Sequence, residues 1–335
     1  MTSLVIQTAF LGDVVLTTPL LAALAERDGP VDVVTTPAAA PLLETHPAVR
    51  RVIPYDKNGR ERGLPALVGL ARRLRAERYE AAYLPHRSLR TAALAWLAGI
   101  PRRVGFHDGW PLLYTVVRRR PVEGHEIDRL LALGDAPPGA APTLAVTAPD
   151  RAAADALLRD AGVQAPFVAL APGSIWGSKR WPGYAELGAA LAGRGVAVVA
   201  VGGDDDAALG DAIVAAVRRV GGRAASACGR LTLRASAALI GRAAALVSND
   251  SAPVHVAQAV GTPTVAIFGP TVPSFGFGPR GPHDRAIGVA GLPCRPCHRH
   301  GPPACPLGHH RCMRMLRVED ALLAIEETGA LRRRD

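Results

Sequence analysis

Residues 244–270 leave the chain little choice of fold, because they read as strand, helix and strand with a polar cluster at the first joint. The apolar run 244–247 ends in Ser248, Asn249, Asp250 and Ser251, any of which can cap a helix. Pro253 then falls in the first turn, where its missing N–H is not needed, and Gly261 with Pro263 stops the helix. Residues 264–268 form the next strand, closed by Gly269 and Pro270. Helical and strand patterns alternate in this way along the whole chain, which predicts an α/β protein with parallel sheets. A helix start also leaves unpaired N–H groups and a partial positive charge, which suits a phosphate. Asp250 and Ser251 lie beside that spot and His255 projects from the same first turns. The same residues read equally as an ordinary N-cap with a surface histidine.

With 335 residues, 49% of them hydrophobic, the chain is long enough for two cores, and two domains are expected. The net charge of +10 comes almost wholly from arginine, since Lys57 and Lys179 are the only lysines. A solvated arginine surface accounts for it, and so does an anionic partner such as a phosphorylated sugar or a lipid head group. Nucleic acid is disfavoured, because aromatic residues make up only 4% and no groove-reading motif is present. No stretch reaches the roughly 18 apolar residues of a spanning helix. Asp13 interrupts the first apolar run before it could serve as a secretory signal. A cytoplasmic protein, touching a membrane face at most, is the expectation.

In chain order, residues 3–8 read as a buried strand, Gly12 and Asp13 as the turn, and 14–27 as a helix. Asp13 is either a first-turn carboxylate stabilised by the helix dipole or a functional group at the carboxyl end of the first strand. The dipole is expected to keep it ionised near neutral pH. No GxGxxG fingerprint follows the strand, which argues against a dinucleotide enzyme. Strands at 31–35, 49–54, 81–84 and 104–106 alternate with helices at 64–78 and 88–97. Arg118, Arg119, Arg120, His125 and Glu126 are candidates for acceptor contacts, or simply a basic loop. Residues 134–149 turn to Ala, Pro and Gly, the composition of a linker.

A second series of strands and helices begins after residue 150. The strand 167–171 leads into a loop carrying Ser174, Lys179 and Arg180, a credible phosphate cradle. The strand 196–201 ends in Asp204, Asp205 and Asp206, acids that suit ribose hydroxyls or an ordinary helix start. Near the end, Cys294, Cys297, Cys305 and Cys312 gather four of the five cysteines, with four histidines among them. That spacing points to a closed structural site for zinc or iron, against free or paired cysteines as the alternative. Cys228 stands apart as a small buried residue.

Three signatures now stand in order: Gly12 and Asp13 with Thr17, Thr18 and Pro19; Pro172 and Gly173 with Lys179, Arg180, Trp181 and Pro182; and Asn249, Asp250 and Ser251 with His255, followed by Phe268, Gly269, Pro270 and Thr271. Together they resemble the ADP-heptose:lipopolysaccharide heptosyltransferase family, glycosyltransferase family 9, over nearly the whole chain. The resemblance implies a GT-B architecture of two Rossmann-like domains with parallel sheets and a C-terminal crossing helix. Residues 1–149 would bind the acceptor and 150–317 the nucleotide sugar, with a Cys-rich loop at 291–313. Residues 318–335 would pack back toward the first domain. It implies inverting, metal-independent transfer of heptose from ADP-heptose to a hydroxyl of a lipid-linked lipopolysaccharide inner-core acceptor, at the inner face of the cytoplasmic membrane. Asp13 would be the general base and Lys179 would hold the donor phosphates, with Gly12, Ser174 and Arg180 nearby. Asp206 would bind the ribose, and Asp250, Ser251, Ala252 and His255 would lie along the diphosphate and sugar. The cysteine cluster resembles the iron-binding motif of members that glycosylate autotransporter proteins, so a protein or another glycan is the alternative acceptor. A nicotinamide-dependent oxidoreductase and a non-catalytic sugar-nucleotide-binding protein are the remaining readings.

Overall fold

A computed structural model of the chain describes residues 2–331. It divides into two compact units, Met1–Ala145 and Val146–Asp335. The first unit runs β1 (Ser3–Ile6), α1 (Leu11–Asp28), β2 (Val31–Thr35), α2 (Ala40–Leu43) and β3 (Val49–Pro54). It continues with α3 (Leu64–Ala76), β4 (Ala81–Leu84), α4 (Leu89–Leu97), β5 (Arg102–Phe106), β6 (Val116–Arg118) and α5 (Glu126–Leu133). The second unit opens with α6 (Ala148–Asp160), β7 (Phe167–Ala171), α7 (Tyr184–Gly193), β8 (Ala197–Ala200), α8 (Ala207–Arg219) and β9 (Ala224–Ser226). Then follow α9 (Leu233–Ile240), β10 (Ala245–Asn249), α10 (Ala252–Ala259), β11 (Thr264–Ile267) and β12 (Arg285–Ile287). Two helices close it, α11 (Arg311–Arg314) and α12 (Val318–Glu327).

Each unit holds one six-stranded sheet, in the orders β3-β2-β1-β4-β5-β6 and β12-β11-β10-β7-β8-β9. Every strand pair is parallel, as the alternating pattern predicts. The two orders are the same order repeated, the doubly wound one whose reversal point takes ligands. The central strands β1, β4, β7 and β10 are buried along their whole length. That is why they appear in the sequence as mainly apolar runs rather than alternating ones, with polar residues only at the ends of β1 and β10: helices cover both faces of a parallel sheet.

Helix α1 starts at Leu11, three residues before the expected start, so Gly12 and Asp13 lie in its first turn rather than ahead of it. Pro19 sits inside this helix and cannot donate to the Val15 carbonyl. The Thr18 hydroxyl takes that carbonyl at 2.8 Å, and Thr17 does the same for the Asp13 carbonyl at 2.7 Å. Thr18 therefore supplies the donor that the proline lacks, while the Thr17 hydroxyl adds a second bond one turn earlier. Helix α12, the one expected to cross back, buries Ala321, Leu322 and Ile325 in the second unit's core. The arginines at 332–334 lie outside the described residues.

Candidate active site

Each sheet reverses its order beside its first strand, between β1 and β4 in one unit and between β7 and β10 in the other. The loops leaving these strands carry the residues singled out in the sequence. In the second unit, Lys179 and Asp250 come from loops after β7 and β10 and meet directly. Lys179 Nζ donates to Asp250 Oδ2 at 2.6 Å and to the Asp250 carbonyl at 3.0 Å. The Thr271 hydroxyl donates to the same Oδ2 at 2.6 Å. Lys179 is only 7% exposed, so the Asp250 carboxylate is the counter-charge that makes its burial tolerable. Asp250 thus serves Lys179 in this structure, a partnership that the spacing of the two motifs did not reveal.

Asn249 ties the same two loops together. Its amide donates to the Pro172 carbonyl at 2.8 Å and to the Gly173 carbonyl at 3.2 Å, and its oxygen accepts the Trp181 N–H at 3.1 Å. The sequence offers Asn249 as a motif residue and a candidate helix cap; in the structure its side-chain hydrogen bonds join the two loops instead. Replacing it with Ala is expected to lower stability by about 2–4 kcal/mol, because buried groups lose their partners. Chemical denaturation measures this, and a stability within error of the wild type would refute the tie.

Ser251 caps α10 without any side-chain hydrogen bond to the helix; its hydroxyl lies 3.5 Å from that of Ser248. The plain N-cap reading therefore lacks its defining bond, and the first turn at Ala252 stays open to an anion. His255 is buried, with Nδ1 3.4 Å from Gln258 Oε1 and its ring beside Phe277. A surface histidine it is not. Burial lowers its pKa against the pull of the Asp250 carboxylate, which favours the neutral ring. Asp206 accepts the Gly203 N–H at 3.1 Å, and its carboxylate fills the space beside Gly173, where a Cβ would lie 2.2 Å from it. Arg180 donates to the Ser174 carbonyl at 3.0 Å and is itself exposed.

The cysteine-rich segment corrects an expectation. Among the described residues no group of three or more His, Cys, Asp or Glu side chains is placed to hold a metal ion. Cys294, Cys297, Cys305 and Cys312 are free, and they range from exposed Cys297 to buried Cys312 on α11. The thiols are near enough for one thiolate to disfavour another, yet they do not assemble a ligand set. Hydrogen bonds hold the segment instead. Arg295 donates to the Phe268 and Thr271 carbonyls at 3.0 and 3.1 Å, and the Ser178 hydroxyl donates to the Pro302 carbonyl. Gly301 packs on the stem of Lys179, where an added Cβ would lie 2.9 Å from Cε. The zinc or iron staple is therefore unsupported, and the segment forms a cover over Lys179.

In the first unit, Asp13 occupies the first turn of α1 and accepts the Phe10 N–H at 3.1 Å. Gln7 steadies the turn by donating to Thr17 at 3.0 Å and accepting the Ala9 N–H at 3.2 Å. Burial raises the Asp13 pKa to about 6, helped by the Glu126 charge and opposed by the Phe10 N–H and Arg120. The helix dipole was expected to dominate here; desolvation outweighs it. Glu126 is itself buried against Arg120 and Arg129. A carboxylate tuned to about 6 is mostly ionised at neutral pH and a better base than an ordinary one.

Two doubly wound units with the same parallel strand order give the chain the architecture of a GT-B glycosyltransferase. The family model for glycosyltransferase family 9 (heptosyltransferase) matches residues 67–306, and the chain belongs to that family. Lipopolysaccharide heptosyltransferase 2 of Salmonella typhimurium is 29% identical over 297 residues, spanning 81% of this chain and 84% of that protein. The structure of E. coli ADP-heptose lps heptosyltransferase II matches with a TM-score of 0.80 and 26% identity, over 98% of each chain. A family 9 glycosyltransferase from Veillonella parvula shares the fold, with a TM-score of 0.83 and 23% identity over 98% of this chain and 96% of that one.

Proposed function

We propose that this enzyme moves a heptose from ADP-heptose to a hydroxyl of a lipopolysaccharide inner-core acceptor, with inversion at the anomeric carbon and no catalytic metal. The observation that carries the proposal is the buried Lys179–Asp250 pair beside the uncapped start of α10. Breaking the sugar–phosphate bond sends its electron pair to the departing ADP. A fixed ammonium and a row of helix N–H groups stabilise that charge without reorganising. On the other side of the reaction the acceptor hydroxyl attacks the anomeric carbon and gives its proton to Asp13. Asp206, in the turn after β8, is assigned to the ribose, and Ser174, Arg180, Ser251, Ala252 and His255 to the diphosphate and sugar. Gly12 belongs with Asp13 in the first turn of α1.

The donor and acceptor are inferred from the relatives above, two of which are named for lipopolysaccharide and one for ADP-heptose. A protein acceptor is not favoured by them. No helix among the described residues is long and apolar enough to cross a membrane, so work on a lipid-linked acceptor would be peripheral. The test is ADP release from a panel of sugar nucleotides with truncated inner-core acceptors, in the presence of a chelator. ADP-heptose is expected to be turned over, unaffected by the chelator, to a product of inverted configuration by NMR. Turnover of another sugar nucleotide in its place, or loss of activity on chelation, would overturn the assignment.

A further inference from the structure

A second cluster of basic groups lies at the switch point of the first sheet, and none of the roles assigned above uses it. Thr8 follows β1, Lys57 follows β3, His86 follows β4, and Arg90 stands in the first turn of α4. Lys57 Nζ donates to the Thr8 hydroxyl at 3.2 Å. Arg90 donates to the Tyr55 hydroxyl at 3.0 Å and to the Lys57 carbonyl at 3.4 Å. His86 Nδ1 is buried and has no hydrogen-bond partner. The four positions come from three separate segments, after β1, β3 and β4, and converge through the strand order.

What distinguishes the cluster is its missing counter-charge. Two other buried charge clusters of this unit are matched: Asp32 with Arg50 and Arg51, Glu126 with Arg120 and Arg129. Arg87, next along the chain, is paired with Asp108 at 2.7 Å. Lys57 and Arg90 form no ion pair among the described residues, and each is satisfied only by neutral oxygens. Burial lowers the pKa of Lys57, and the Arg90 charge lowers it further. His86 is pushed down to about 4 by burial and by the charges of Lys57 and Arg87. Like charges gathered in a partly desolvated spot weaken the free chain. At the ligand edge of a sheet, they also provide fixed positive potential for an incoming anion.

We propose that Lys57, Arg90 and His86 form a binding site for an oxyanion, a phosphate or carboxylate group, carried by the acceptor. That the anion belongs to the acceptor rests on the transfer reading above; that the site takes an oxyanion does not. Lys57 and Arg90 supply the charge, and the free Nδ1 of His86, protonated as one tautomer of the neutral ring, supplies a third donor. The start of α4 points its own N–H groups to the same edge.

The test begins without any transfer activity. The full chain, with its nucleotide site saturated by ADP, is titrated with inorganic phosphate at constant ionic strength while its melting temperature is followed. The wild type is expected to gain stability with phosphate, and the Lys57→Met/Arg90→Met double variant to need at least about tenfold more phosphate for the same gain, the loss of one charged hydrogen bond or more. In phosphate-free buffer, Lys57→Met alone is expected to melt higher than the wild type, since it removes a repelled cation. Lys57→Gln repeats the phosphate measurement if the double variant does not fold. No phosphate response in the wild type, or an equal one in the variants, overturns the site. A phosphate response without transfer to any inner-core acceptor keeps the site and sinks the transfer reading. With transfer established, acceptors bearing only phosphate or only carboxylate identify the source of the anion. The variants should raise KM for that acceptor about tenfold and leave KM for the donor unchanged.

Discussion

Replacing Asp13 with Asn is expected to cut transfer by about 100- to 10,000-fold, the usual worth of a positioned base, while making the protein more stable above pH 6. Both effects follow from the same half-buried, desolvated carboxylate. Its pKa is raised from 3.8 to about 6, mainly by burial. The folded chain therefore holds the Asp13 proton more tightly than the unfolded chain does. Stability is lost as pH rises from about 4 to about 6, and the full cost persists above that window. Two pKa units amount to about 3 kcal/mol; solvent at a part-exposed carboxylate reduces this to about 1–3 kcal/mol. Asn keeps an oxygen for the Phe10 N–H and carries no charge, so it should recover that cost. Equilibrium unfolding of both proteins at pH 5 and pH 8 measures it: the gap should be wide at pH 8 and narrow at pH 5. The wild type's kcat/KM should also fall about tenfold per unit below pH 6, and the Asn variant's residual rate should lack that limb. Wild-type activity in the variant would remove Asp13 from the chemistry, whereas equal stability at both pH values would remove the burial argument.

The fold was legible wherever burial is complete. The runs that became β1, β2, β4, β7 and β10 are buried on both faces, so apolar residues dominate them, and the few polar ones, such as Asp32 and Asn249, are held by side-chain hydrogen bonds. Edge elements were harder. The edge strands β6 and β12 are three residues each and only partly buried, so composition carries little of their signal. Helix α5 was overlooked because its start, Glu126, belongs to a buried charge network that reads as polar loop. Ile127, Leu130 and Leu131 at helical spacing did mark it. Loop chemistry behaved likewise. Asp13 and Lys179 could be found from their places after predicted strands, but what sets their properties is remote in sequence: burial by the surrounding fold, with Glu126 adding to it, for the first, and Asp250 and Thr271 for the second. The cysteines show the converse. Their spacing is local and suggestive, yet a ligand set is a tertiary arrangement, and this one does not form among the described residues.

Lys179 offers the second large effect, and its variants separate architecture from chemistry. Lys179→Met removes the ammonium and leaves the Asp250 carboxylate buried with Thr271 as its remaining side-chain partner. Breaking a buried pair from one side typically costs about 3–5 kcal/mol. The same loss seen from the donor side is a charge-assisted contact to the diphosphate, about 1.5–3 kcal/mol, so ADP should bind about 10- to 150-fold more weakly. A single variant cannot tell a binding residue from a structural one, because an unstable loop also binds poorly. Adding Asp250→Asn resolves this. The neutral amide no longer needs the ammonium, and Thr271 can still bond to it, so the double variant should recover most of the lost stability. ADP affinity should stay low, because the cation that the phosphates need is still missing. Unfolding curves and ADP titration calorimetry on the wild type, both single variants and the double variant complete the cycle. If ADP affinity returns together with stability, Lys179 only braces the loop, and the phosphate assignment fails even though the buried pair remains real.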